Sequence, residues 1–94
     1  MIADIEVERT DHDDRYEFQV TVREGRGETH HRVTLQKADY ERLAEGRTSP
    51  EALVTESFRF LLEREPKEFI LRAFDLTVIG CYFPEYDQEI ARRL

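Results

Sequence analysis

The chain has 94 residues, with 14 Lys and Arg against 21 Asp and Glu, a formal charge of −7. That length fits one domain, residues 1–94, and 37% charged residues leave its core modest. Leu, Ile, Val and Phe make up about 27% of the chain, above the ~20% typical of disordered sequences, so it is expected to fold.

Several function classes are set aside at once. The longest apolar run, Val78-Ile79-Gly80-Cys81-Tyr82-Phe83, is far short of the ~20 residues of a membrane helix. The start, Met1-Ile2-Ala3-Asp4-Ile5-Glu6, lacks the basic and apolar regions of a secretory signal. A single cysteine, Cys81, cannot form an internal disulfide, which fits a reducing cytoplasm. The stretches before and after Gln36 carry −4 and −3, so no basic half is available to neutralise phosphates, and this counts against nucleic acid.

Residues 1–36 read as a β meander. Ala3, Ile5 and Val7 alternate with Asp4, Glu6 and Glu8; Tyr16, Phe18, Val20 and Val22 alternate with Glu17, Gln19, Thr21 and Arg23; His31, Val33 and Leu35 share one side of a third strand. Keeping both apolar faces together requires paired residues to sum to an odd number; a sum of 51, with Phe18 opposite Val33, Tyr16 opposite Leu35 and Arg23 opposite Glu28, is preferred to 53, which needs a four-residue loop and loses that charge pair. Gly25-Arg26 is then a two-residue, glycine-first turn.

Residues 37–94 read as helical. Lys37 to Glu45 gathers Tyr40, Leu43 and Ala44, with Gly46 as a left-handed stop. The second helix opens either with Thr48 as cap and Glu51 closing a capping box, or with Ser49 as cap and Pro50 in the first turn. Leu53, Val54, Ser57, Phe58, Phe60, Leu61 and Leu62 cover about half its circumference at ~100° per residue, until Glu65-Pro66 ends it. Pro66 to Phe74 reads as a further helix, with Phe69, Ile70, Ala73 and Phe74 together. Residue types in Leu76–Phe83 favour a strand, whereas the spacing of Val78, Ile79, Tyr82 and Phe83 behind Asp75 favours a helix; the helical reading is preferred. Pro84-Glu85 opens a last short helix with Tyr86 and Ile90 inside. The expected fold is α+β: an N-terminal three-stranded antiparallel meander followed by three or four helices.

An alternating strand His31-Arg32-Val33-Thr34-Leu35, a short helix holding Leu43, the link Gly46-Arg47-Thr48-Ser49 and a capped helix from Glu51 together resemble a ribbon-helix-helix unit of the MetJ and Arc type, over residues 31–65. The resemblance implies a two-fold dimer whose strand reads DNA through its outward residues, here His30, Arg32 and Thr34, with Thr48 and Ser49 facing a phosphate. The whole chain also resembles a group of short bacterial proteins with no assigned activity, through Ser57-Phe58, Phe60-Leu61-Leu62-Glu63-Arg64-Glu65-Pro66, Phe74-Asp75-Leu76 and Tyr82-Phe83-Pro84-Glu85-Tyr86. That likeness implies no function.

No motif supplies catalysis, a cofactor or a metal. His30 and His31 are adjacent on a strand and point to opposite faces. The turn Asp11-His12-Asp13-Asp14 departs from a calcium loop at Arg15 and Val22 and reads as a solvated turn. Cys81, among apolar neighbours, reads as a buried inert thiol, and Tyr82, Phe83 and Tyr86 as aromatics packed on the sheet. The leading expectation is therefore a non-enzymatic cytoplasmic homodimer that binds another protein, using the free edge of the third strand and the margins of the wide helix stripe. Phe60, Leu62 and Leu53 are the expected interface residues, and the ribbon-helix-helix-like DNA-binding regulator is the alternative.

Overall fold

A computed structural model describes residues 3–94; Met1 and Ile2, part of the polar start read above, lie outside the described residues. The order is β1 (Asp4–Asp11), β2 (Arg15–Glu24), β3 (Gly27–Gln36), α1 (Lys37–Ala44), α2 (Pro50–Leu62), a 3₁₀ turn (Lys67–Phe69), β4 (Ala73–Asp75), α3 (Val78–Tyr82) and α4 (Tyr86–Arg93). β1, β2 and β3 form the expected antiparallel meander. Phe18 stands opposite Val33, Tyr16 opposite Leu35, and Arg23 opposite Glu28, with their ion pair at 3.3 Å on the wet face. Gly25 takes φ +63° in the two-residue turn, a conformation that strains a residue with a Cβ.

The three-strand expectation needs correction. β4 pairs parallel with β3 and completes a four-stranded sheet in the order β1-β2-β3-β4, so the helices do not all follow the strands. The expected helix over Pro66–Phe74 is a single 3₁₀ turn followed by extended chain. The cause is the neighbouring strand: His31, Val33 and Leu35 are buried, and β3 backbone groups beside them need partners. Arg72 C=O accepts from Arg32 N–H at 2.7 Å, and Thr34 C=O accepts from Leu76 N–H at 2.9 Å. The edge of β3 at residues 32–34 is thus filled from within the chain.

The helices cover one sheet face. α1 closes over Glu45 (φ +51°) and Gly46 (φ +74°). α2 resolves its two starting registers in favour of Ser49, whose Oγ accepts from Ala52 N–H at 3.1 Å, with Pro50 in the first turn. Leu53, Val54, Phe58 and Phe60 on α2 are fully buried, against Phe18, Val20, Val33, Leu76 and Ile90 among others. The helical reading of residues 76–83 holds over Val78–Tyr82.

Candidate functional site

The wide stripe of α2 finds its cover inside the chain. The Phe60 ring meets Phe83 and Tyr86 edge-on at 5.8 and 5.3 Å, and the Arg64 guanidinium lies 3.6 Å above it. Ser57, also buried, donates to Leu53 C=O at 2.8 Å and accepts from the Tyr86 hydroxyl at 2.7 Å, tying α4 to α2. Burial pushes the Tyr86 phenol up to about 12, against the opposing pull of Ser57. Of the three expected interface residues, Leu53 and Phe60 are therefore core residues; Leu62 is half-buried and packs on the core edge.

Exposed apolar surface lies elsewhere. A groove of about 220 Å³ runs between the end of α2 (Leu61, Glu65), the segment Phe69–Leu71, Phe74 of β4, and α3 (Val78, Ile79, Tyr82, Phe83). Phe69, Leu71 and Tyr82 on its walls are 72%, 47% and 68% exposed. This corrects two expectations: Phe69 does not face inward with Ile70, and Tyr82 does not pack on the sheet. Cys81, expected to be buried, is exposed.

Local geometry explains both reversals. In a 3₁₀ turn, side chains three apart eclipse. Lys67 and Ile70 are both buried, which turns Phe69 to solvent. Lys67 lays its stem under the β2–β3 hairpin, its Nζ close to Gly27, while its ammonium meets Glu68 at 2.7 Å. α3 has only five residues, and Ile79 is the one buried within it; Cys81 and Tyr82, in its last turn, are exposed.

His31 fixes the segment leading into β4. Its Nδ1 donates to Leu71 C=O at 2.7 Å, since a carbonyl can only accept, so its Nε2 accepts the Thr29 hydroxyl at 2.8 Å. Burial beside Phe58 holds the imidazole pKa below its usual range; the Leu71 carbonyl opposes this shift, and His30 and Arg72 add to it. The neutral ring is a brace for the chain at Leu71. Asp75 braces the far end, accepting from Thr34 Oγ1 at 2.9 Å and from Thr77 N–H and Oγ1 at 3.1 and 2.7 Å.

The five residues of the DNA alternative divide between two layers. His30, Arg32 and Thr34 stand on the open face of the sheet, where His30 meets Glu28 at 2.9 Å. Thr48 and Ser49 lie on the helix-covered side: Tyr40 donates to Thr48 C=O and stacks edge-on against Tyr16, while Glu51 meets Arg9 at 3.2 Å. The open face carries Asp4, Glu6, Glu8, Glu17, Glu28 and Asp75 against Arg15, Arg23 and Arg32.

Among the described residues, no group of three or more His, Cys, Asp or Glu is placed to hold a metal ion, and no helix is long and apolar enough to cross a membrane. The chain matches no family model, no curated protein and no solved structure. Sequence reasoning passed over Leu71 and placed Phe69 and Tyr82 inside. The available signal was Lys67 three residues before Ile70, the spacing of a 3₁₀ turn with Phe69 outside it.

Proposed function

We propose that this chain is a non-catalytic, homodimeric protein-interaction module, working in the cytoplasm, whose contact surface is the groove flanked by Phe69, Leu71 and Tyr82. The observation that carries this reading is the clustering of three large exposed apolar side chains on one groove. At their exposures, the two rings alone leave on the order of 100–170 Å² each in water. With Leu71 the patch falls in the range of the largest apolar patches on monomer surfaces, roughly 300–600 Å², which are often functional.

Charge supports a second copy as the occupant. Two molecules of −7 repel unless they meet where acids are sparse, and among the described residues Glu65 is the one charged residue lining this groove. Sedimentation at ~50 µM is expected to show dimer, and Phe69→Asp or Tyr82→Asp to give a folded monomer. Monomer alone for the unmodified chain overturns the reading.

The second reading is the ribbon-helix-helix-like regulator. Arg32 favours it: the side chain is exposed and makes no ion pair among the described residues. Six acids against three arginines on the same face weigh against it.

A further inference from the structure

We propose that the second copy docks by strand addition: the two β4 strands pair antiparallel across a two-fold axis at Phe74, with Ala73 opposite the partner's Asp75. Two four-stranded sheets then become one sheet of eight strands. This rests on the self-association proposed above and assigns its place and register.

The backbone phase selects the strand. Arg32, Val33 and Thr34 of β3 stand beside Ala73, Phe74 and Asp75, with Arg32 N–H donating to Arg72 C=O and Leu76 N–H to Thr34 C=O. In a parallel ladder of this phase, Phe74 turns both backbone groups toward β3, and Ala73 and Asp75 turn theirs away. Among the described residues, nothing takes up those four outward groups.

Register follows from the same phase. With Ala73 opposite the partner's Asp75, both pairs related by the axis exchange N–H and C=O, giving four hydrogen bonds. Phe74 then meets the partner's Phe74 as a non-hydrogen-bonded pair, with Cα atoms about 4.5 Å apart. Shifting by two residues one way sets Asp75 against the partner's Asp75, a like-charge pair. Shifting the other way sets Asp75 against the partner's Leu71, beyond the strand.

Side chains agree with this register. Arg32 stands on the open face beside Ala73, whose small side chain leaves the way clear. The partner's Asp75 lies about 10 Å further across two strand spacings, within reach of an extended arginine that has no ion pair of its own in the described residues. On the opposite face the exposed Leu71 and the groove border the same edge, so strand addition and apolar contact close together.

The test uses the full chain. Amide exchange followed from ~20 to ~500 µM is expected to slow about tenfold or more at Ala73 and Asp75, in step with the dimer fraction from sedimentation. Ala73→Pro removes an N–H that bonds nothing among the described residues; it is expected to keep the native circular dichroism and to weaken association about 100-fold. On a Cys81→Ser background, Phe74→Cys is expected to form an intermolecular disulfide, since the paired Cα atoms lie within bonding range. A dimer whose Ala73 and Asp75 amides exchange freely overturns strand addition but leaves self-association standing. A monomer at every concentration overturns both. Should Ala73→Pro fail to fold, exchange on the unmodified chain decides.

Discussion

The two edges of the sheet are built in opposite ways. β1 is eight residues long, and its sequence Asp-Ile-Glu-Val-Glu-Arg-Thr-Asp sets acids along the strand, with Arg9 tied to Asp11 and Glu51. A second β1 laid alongside would bring carboxylates together, the usual defence of an edge that must remain single. β4 has three residues and one acid, Asp75, already engaged by Thr34 and Thr77, and it sits beside exposed Phe69 and Leu71. Protection by charge is therefore confined to the long edge, and exposed apolar surface to the short one.

The largest expected effect separates stripe from groove. Phe60 is fully buried among Phe83, Tyr86 and Arg64, and truncating such a ring costs about 3–5 kcal/mol. Phe60→Asp adds a buried charge and is expected to leave the chain unfolded by circular dichroism. Phe69→Asp, at a site 72% exposed, is expected to change urea stability by no more than about 0.5 kcal/mol while abolishing the dimer. If Phe60→Asp gives a folded monomer, the stripe on α2 is the interface and the comparison of edges collapses.

Next in size is the seam between α2 and α4. Tyr86→Phe leaves the Ser57 hydroxyl without its donor and is expected to cost about 1–2 kcal/mol in urea unfolding. The phenol titrates near 10 unfolded and at about 12 in the folded chain, so the unfolded state releases its proton first. Its contribution is whole below pH 10 and is lost as pH rises from 10 toward 12, on the order of 2–3 kcal/mol. Unfolding curves at pH 8, 10 and 11.5 check this, and Tyr86→Phe is expected to flatten the alkaline fall. Such a loss weakens the whole fold, so the dimer should dissociate only where the chain itself unfolds.

A smaller effect acts on the β4 edge. The folded His31 pKa lies below the unfolded value near 6.5, so the unfolded state binds the proton first as pH falls. Stability supplied by the neutral ring is present above pH 6.5 and is lost on acidification through the folded value. A protonated ring can no longer accept from Thr29, and it places charge against Phe58. Acid is therefore expected to loosen Leu71 and β4 before the β1–β2 hairpin, read as faster exchange at Phe74 and Leu76 than at Glu6 and Thr21, whose amides pair β1 with β2. Equal loss of protection at both edges would show that His31 does not act on β4.

What could be read from residues alone follows the same division. Period-two alternation is long enough in β1, β2 and β3 to set faces, and the pairing Arg23–Glu28 set the hairpin register. The α2 stripe was equally plain, whereas its start stood open between Thr48 and Ser49, and the bond from Ala52 N–H to the Ser49 hydroxyl decides it. β4 was not plain: three residues carry no periodicity, and what makes Ala73–Asp75 extended is the backbone of residues 32–34, some forty positions earlier. Ile70, Ala73 and Phe74 also sit at helical spacing, so the local pattern pointed the wrong way. The groove escaped for a related reason. Its walls come from the 3₁₀ turn, β4 and a five-residue helix, each too short to show which face it buries.

The smallest expected effect concerns the open face itself. Arg23 joins Glu6 at 2.8 Å and Glu28 at 3.3 Å, and these carboxylates raise its pKa, so that arginine is already neutralised within the sheet. Arg15 meets Asp14 at 3.4 Å, so Arg32 is the arginine of this face left to meet a phosphate, surrounded by a face that is acidic on balance. Titration with a mixed-sequence duplex at ~50 mM salt is expected to give no binding tighter than about 10⁻⁵ M, because few phosphates can be neutralised. Arg32→Ala should leave that result unchanged while weakening self-association modestly, since its proposed partner is a carboxylate of the second copy. Sub-micromolar duplex binding that falls steeply with salt and is lost in Arg32→Ala would reverse the ranking. The acids along β1 would then border a ligand rather than guard an edge.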